Sequence, residues 1–261
     1  MNRLLVKFGT ETLLDQAREL NQGIFDQIAT EIASICLSGW LTIIVTSGAI
    51  QAGREAMTRL SLPVERLHKK ELAAIGSVKL MDHWQNAFLR HGFGVGQIWL
   101  THANLEDPGE RQSIGNSIKN LLLARIVPIV NENDVISDRE IVSMSAGIGE
   151  NDRLTALLAP IVDPTAVVSV TSVGGVFDRY PIDRESRIYR ELDINELPDG
   201  LGDSGVLSKT GSGGMGRKVH ELLRCCVSGR RVGIIGRQES QLKQFITGES
   251  VGTLLGRKNR F

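Results

Sequence analysis

An α/β fold, a three-layer α/β/α sandwich on a mostly parallel sheet, is predicted for this chain by three observations. Short uninterrupted apolar runs recur along it, as strands buried on both faces require. Longer segments with apolar residues at helical spacing alternate with them. The runs end in small or charged residues, and the carboxyl ends of parallel strands are where ligands sit in such sheets.

The elements follow in order. Leu4-Leu5-Val6 reads as a first strand. Residues 24–37 carry apolar residues at helical spacing and stop before Gly39. Residues 41–45 form a second strand, and a helix begins after Thr46-Ser47-Gly48-Ala49. Residues 68–89 read as a long helix ending at Gly92, 95–100 as a third strand and 114–123 as a helix. Residues 126–130 make a fourth strand, in which Pro128 predicts a sheet edge or an irregularity, because proline donates no ladder hydrogen bond. A helix over 154–161, a strand over 166–170, a helix over 219–227 and a strand over 231–235 complete the alternation. Residues 251–255 are expected to close the sheet. A polar stretch, 177–210, interrupts the pattern and divides an N-terminal part from a shorter C-terminal part.

At 261 residues the chain is long enough to bury a substantial core as one large domain or two lobes. A formal net charge of zero gives no reason to expect a nucleic-acid or membrane surface. The basic end Arg257-Lys258-Asn259-Arg260 is short and reads as a frayed tail. No apolar run reaches bilayer length, and Met1 leads into Leu4 without a signal-peptide layout, so a cytoplasmic protein is expected. Three cysteines, with Cys225 and Cys226 adjacent, form no disulfide framework and have no metal-ligand spacing. The five histidines are scattered and none is assigned a role, nor is any residue assigned as a metal ligand.

The glycine cluster Gly211-Ser212-Gly213-Gly214-Met215-Gly216 runs into Arg217 and Lys218 and then into the expected helix. Glycines let backbone N–H groups close on a bulky anion, a helix start adds its positive dipole end, and two cations add full charges. This outlines a phosphate site, the plainer reading being a flexible surface loop. It is not a P-loop, because Arg217 and Lys218 stand where the lysine and the magnesium-binding hydroxyl belong. A dinucleotide fingerprint also fails, since the residues before Gly211 are too polar and glycine-rich for a buried strand.

The strand ends carry further candidates. The first runs into Lys7-Phe8-Gly9-Thr10, the second into Ser47-Gly48-Ala49 and the fourth into Asn131-Glu132-Asn133-Asp134. Gly149-Glu150-Asn151-Asp152 opens a helix, and the next strand ends Thr171-Ser172-Val173-Gly174-Gly175. Singly, Ser47 and Asn151 fit helix caps, Gly9 a turn and Lys7 a solvated charge. Turn chemistry alone explains their joint occurrence poorly.

In these pieces the chain resembles the glutamate 5-kinases of the amino-acid kinase family. The matching segments are 6–10, 45–54, 127–134, 150–156, 211–215 with Lys218, and 250–254, in the family's order across nearly the whole chain. The resemblance implies a single amino-acid kinase domain over 1–261, with an acceptor-binding lobe over 1–162 and a nucleotide-binding lobe over 163–261. It implies ATP-dependent phosphorylation of the side-chain carboxylate of glutamate, in proline biosynthesis. The alternatives are a related kinase with a different acid, carbamate or phosphate acceptor, and a non-catalytic nucleotide or amino-acid sensor on the same fold. Lys7, Asp152 and Lys218 would be catalytic, the lysines flanking the moving phosphoryl group and Asp152 holding them. Lys7, Gly9, Thr10, Thr171, Ser172, Gly211, Ser212, Gly213, Gly214, Met215, Gly216 and Arg217 would bind ATP. Ser47, Gly48, Ala49, Asp134 and Asn151 would bind the acceptor. Mg²⁺ should arrive with ATP, held largely by phosphate oxygens and water. A glutamyl-phosphate reductase and a second copy of the chain are the expected partners.

Four departures accompany the resemblance. Thr171-Ser172 stands where the family has Thr-Asp, which removes a carboxylate facing the nucleotide. Residues 177–181 and 113–117 do not keep the family's pattern. The loop 142–148 is longer than in the family and adjoins the acceptor site. The RNA-modification-type (PUA) domain that many bacterial members carry after the kinase is expected to be absent here.

Overall fold

The computed structural model describes residues 1–136, 150–179, 182–198, 201 and 214–256. The glycines Gly211 and Gly213, with Ser212 between them, and the loop 142–148 lie outside the described residues. So do positions 180–181 of the departing 177–181 stretch.

One eight-stranded sheet organises the chain. Its strands are β1 (Arg3–Phe8), β2 (Leu41–Thr46), β3 (Gly94–Leu100), β4 (Ile126–Glu132), β5 (Ala166–Val170), β6 (Glu191–Asp193), β7 (Arg231–Ile235) and β8 (Thr253–Gly256). They lie in the order β3-β4-β2-β1-β5-β7-β8-β6. Every pairing is parallel except β7 with β8. The first four strands in sequence fill one half of the sheet and the last four the other, with β1 and β5 meeting in the middle.

Helices α1 (Gln22–Leu37), α2 (Ala49–Arg59), α3 (Lys69–Leu89), α4 (His102–Glu106), α5 (Pro108–Leu123), α6 (Glu150–Val162), α7 (Met215–Leu223) and α8 (Gln241–Thr247) complete the described residues. They sort onto two faces by strand parity. Leu4, Val6 and Phe8 of β1 join a core with Phe25 of α1, Ala52 of α2, Trp84 of α3 and Phe245 of α8. Leu5 joins the opposite core, with Leu105 of α4, Ile118 of α5, Leu154 of α6 and Val219 of α7. Side chains two apart share a face, so Lys7 follows Leu5 toward α6 and α7.

Several details position the strand ends. Trp84 is fully buried, and its indole N–H donates to Thr46 Oγ1 at 3.1 Å, tying α3 to the last residue of β2. Gly76 of α3 lies against the first turn of α2: a Cβ there would fall 1.8 Å from Ala49 O and 2.2 Å from Gly53 N. Only glycine permits that approach. Asp107 caps α5 by accepting from Glu110 N at 2.8 Å, so this helix begins at Pro108, earlier than its apolar spacing predicts.

Other expectations are corrected. The helix predicted over 219–227 spans Met215–Leu223, so Arg217 and Lys218 lie in its first turn and not in the loop before it. Pro128 is not on an edge, since β4 lies between β3 and β2. The irregularity it predicts is present, because pairing with β2 is confined to Ile44↔Ile129 and Val45↔Val130, beginning just after the proline. The C-terminal strand β8 is internal and antiparallel to β7, and the edge on that side is β6, inside the stretch read as a polar interruption. Among the described residues no helix is long and apolar enough to cross a membrane.

Candidate active site

The carboxyl end of β1 supplies Lys7, whose register partners are Val45 of β2 and Ser169 of β5. It therefore stands at the middle of the sheet, pointing to the α6–α7 face. Asp152 comes from the first turn of α6, where a carboxylate is favoured by the positive end of the helix dipole. Lys218 comes from the first turn of α7. Lys7 Nζ lies 3.0 Å from Asp152 Oδ1, and Lys218 Nζ lies 2.8 Å from both Asp152 oxygens. The three side chains are 8%, 10% and 12% exposed for Lys7, Asp152 and Lys218.

Two buried cations thus share one buried anion, and the cluster carries an excess positive charge. Burial alone would raise the Asp152 carboxyl, but Lys218 and Lys7 override it and hold it at about 2. Burial pushes the Lys218 ammonium down to about 8, aided by the charge of Lys7 and opposed by Asp152. The N-terminal end of α7, entered through the buried, extended Gly214, adds positive potential beside Lys218. Such an arrangement has room for one further negative charge, and its carboxylate, held at about 2, is not suited to accept a proton.

A second cluster joins three chain segments around Asn151, the second residue of α6. Its amide nitrogen donates to Ser47 Oγ at 2.9 Å and to Asn131 Oδ1 at 3.2 Å. Its amide oxygen accepts from Glu132 N at 3.4 Å. The ends of β2 and β4 are therefore tied to the helix that carries Asp152. Gly48 adopts φ 109°, a left-handed conformation, and serves as N-cap of α2. Ser47 does not cap that helix. Ala49 is buried in its first turn, and Asp134 is half-buried in the turn after β4.

On the other side of Lys7, Gly9 leads into a 3-10 turn over Thr10–Thr12, and Thr12 Oγ1 donates to Gly9 O at 2.6 Å. A Cβ at Gly9 would lie 3.4 Å from Lys7 Nζ, so glycine leaves that side of the ammonium open. The Thr171 hydroxyl accepts from Gly174 N at 3.1 Å and donates to Ile235 O at 3.3 Å. It shapes the turn after β5, while Ser172 is exposed. Gly214 and Gly216 are buried, with Met215, Arg217 and Lys218 partly so.

Two further groups were not assigned roles from sequence. Asn131 is a buried amide closing an apolar run, a signal that marks it as a polar group with a dedicated partner. Glu132 and His102 are both buried, with His102 Nε2 3.6 Å from Glu132 Oε2, directly behind the Asn151 cluster. Glu132 shares strand parity with the buried Val130, which predicts its inward direction.

Comparisons with known proteins show the family and the fold. Residues 2–236 match the amino acid kinase family. The chain is 32% identical over 258 residues to the glutamate 5-kinase of Caldanaerobacter subterraneus subsp. tengcongensis, covering 96% of this chain and 67% of that protein. It is 32% identical over 265 residues to the glutamate 5-kinase of Symbiobacterium thermophilum, covering 98% and 96%. It is 35% identical over 254 residues to that of Yersinia pestis, covering 96% and 67%. The fold is similar to that of UMP kinase from Bacillus anthracis (TM-score 0.61, 16% identity, 98% and 96% coverage). It is also similar to isopentenyl phosphate kinase from T. acidophilum (TM-score 0.64, 14% identity, 97% and 99% coverage).

Proposed function

This chain belongs to the amino acid kinase family, and we propose that it transfers the γ-phosphoryl group of ATP to the γ-carboxylate of L-glutamate. The P–O bond to ADP breaks and a P–O bond to the carboxylate forms, giving L-glutamyl 5-phosphate and ADP. The observation that carries this reading is the Lys7–Asp152–Lys218 cluster, with its two buried cations on one carboxylate. Phosphoryl transfer needs charge neutralisation and in-line placement more than covalent help from the protein. Lys7 from the acceptor half and Lys218 from the nucleotide half would flank the group as it moves between two anions. Asp152 would keep both lysines aimed and charged. A carboxylate acceptor arrives ionised and needs no general base, which matches a centre whose carboxylate is held near 2.

The remaining residues take roles by position. Gly9, Thr10 and the start of α7 with Gly214–Arg217 would receive the ATP phosphates, together with the glycines at 211 and 213. Thr171 and Ser172 would border the nucleotide. Ser47, Gly48 and Ala49 would receive the acceptor, with Asp134 and Asn151 gripping its α-amino group. The described residues hold no group of three or more His, Cys, Asp or Glu that fits a metal ion. Mg²⁺ would enter on the nucleotide phosphates, where it would supply further charge neutralisation. The product is a labile acyl phosphate, so a reductase that consumes it is the expected partner.

The test is hydroxamate formation from ATP, Mg²⁺ and hydroxylamine with a panel of acids, alongside ADP release. Glutamate-dependent hydroxamate is the expected result. ADP release without hydroxamate would point to a phosphate acceptor, and ATP binding with neither to a sensor.

A further inference from the structure

Arg237 stands two residues beyond the end of β7, where the turn is fixed by Gly236 N donating to Gln241 Oε1 at 2.9 Å. Its side chain crosses to the loop that follows β1. Nη1 donates to Thr12 O at 2.8 Å and to Leu14 O at 3.2 Å. Both acceptors are backbone carbonyls, so the guanidinium fixes the path of the loop itself. That loop begins at Gly9, immediately after Phe8 and Lys7, and folds through Thr12 N to Gly9 O and Leu13 N to Thr10 O, both at 2.9 Å. Its other end reaches the acceptor side: Leu13 is fully buried, and a Cβ on Gly48 would lie 3.7 Å from Leu13 Cδ1. One segment therefore borders Lys7 at its start and Gly48 near its end, and Arg237 braces it from the far half of the sheet.

We infer that Arg237 is a positioning residue for phosphoryl transfer, holding the Gly9–Leu14 loop so that nucleotide and acceptor stay aligned across Lys7. The inference rests on the phosphoryl-transfer reading above. Arg237 is an exposed residue, but its Nη1 makes partly buried bonds to two backbone carbonyls. A charged donor shared between two carbonyls is a directional brace, where an exposed arginine without such acceptors would contribute little.

The experiment pairs Arg237→Met with Arg237→Lys in the full chain, read by amide hydrogen exchange and by ATP titration. Arg237→Met should speed exchange at Thr12 and Leu13 about tenfold while amides of β1 and β5 keep their rates. It should weaken ATP about tenfold, the loss expected for one charge-assisted hydrogen bond. KM for the acid should move less than that for ATP. Arg237→Lys keeps a donor and should recover most of both effects. Unchanged exchange at Thr12 and Leu13 would overturn the inference, as would faster exchange with unaltered ATP affinity. Acceleration spread through β1 and β5, or no recovery in Arg237→Lys, would overturn it too by showing a general loss of stability. Failure of the unsubstituted chain to bind ATP would instead sink the phosphoryl-transfer reading, with the exchange data still deciding whether the loop is braced.

Discussion

Replacing Asp152 by asparagine keeps the shape of the side chain and removes its charge, leaving Lys7 and Lys218 buried together without the anion between them. The carboxyl is held at about 2 against an ordinary value of 3.8, despite burial that alone would raise it. At about 1.4 kcal/mol per pH unit, that difference is worth roughly 2 kcal/mol of folding stability. This figure compares the carboxylate with a neutral acid, and asparagine is a neutral replacement, so it serves as a floor. Removing one partner from a buried ion pair costs about 3–5 kcal/mol, which sets the ceiling. Urea unfolding at neutral pH should therefore show Asp152→Asn less stable by about 2–5 kcal/mol. The sign with pH is fixed as well. A carboxyl depressed in the folded state contributes fully above its unfolded value and loses that contribution as pH falls through its folded value. The gap between the two proteins should narrow as pH drops from 3.8 toward about 2. Equal stabilities at neutral pH, or a gap that does not narrow in acid, would refute the electrostatic account of this cluster.

Substitutions at three other positions probe separate parts of the structure. Lys218→Ala should lower turnover by about 10²–10³ with a smaller change in ATP affinity, and turnover equal to the unsubstituted chain would remove Lys218 from the transfer step. The Lys218 ammonium is pushed down to about 8, so kcat/KM for ATP should decline above that pH as its charge is lost. In Lys218→Arg that alkaline decline should move to higher pH whatever the absolute rate, because arginine stays charged, and an unmoved limb would assign it to another group. Asp134→Ala should raise KM for the acid while leaving the ATP dissociation constant nearly unchanged; an equal loss for both ligands would argue against separate halves. Gly76→Ala should destabilise the fold by about 1–3 kcal/mol and raise KM for the acid, since the new methyl collides with Ala49 O at the start of α2; unchanged thermal stability would refute the close contact.

What could be read from sequence followed from burial and parity. Lys7 taken singly read as a solvated charge, and it stood out only through its place among the other strand ends and through the family resemblance. Its direction follows from Leu5 once the two faces of the sheet are known. Asn151 was legible as a helix-start residue, but its reach to Ser47 and Asn131 depends on which strands lie side by side. Arg217 and Lys218 were placed before their helix because Gly216 is a poor helix former, and packing of buried Gly216 and Val219 overrides that preference. The strand β6 escaped notice because, of its three residues, only Leu192 is buried. The helix α8 is seven residues long with Leu242 and Phe245 as its buried positions, too few to display a period. Pro128 argued for an edge or an irregularity, and it sits inside the sheet as an irregularity, because the pairing with β2 starts one residue later.

The charge arithmetic of the cluster favours the proposed transfer over a passive anion receptor. A receptor for phosphate gains most from cations that are free to approach the ligand, and a carboxylate bonded to them subtracts from that attraction. Here Asp152 engages both ammonium groups, one of them through both of its oxygens. That arrangement sacrifices ground-state affinity and fixes the spacing of two cations drawn from opposite halves of the sheet. Fixed spacing is of little use for holding one phosphate but matters for a group that travels between two anions, since charge must be met along the path and not only at its start. Asp152 also keeps Lys218 protonated at neutral pH against burial and the repulsion of Lys7. The same carboxylate that weakens simple anion binding therefore maintains both the geometry and the charge state that the proposed transfer would require.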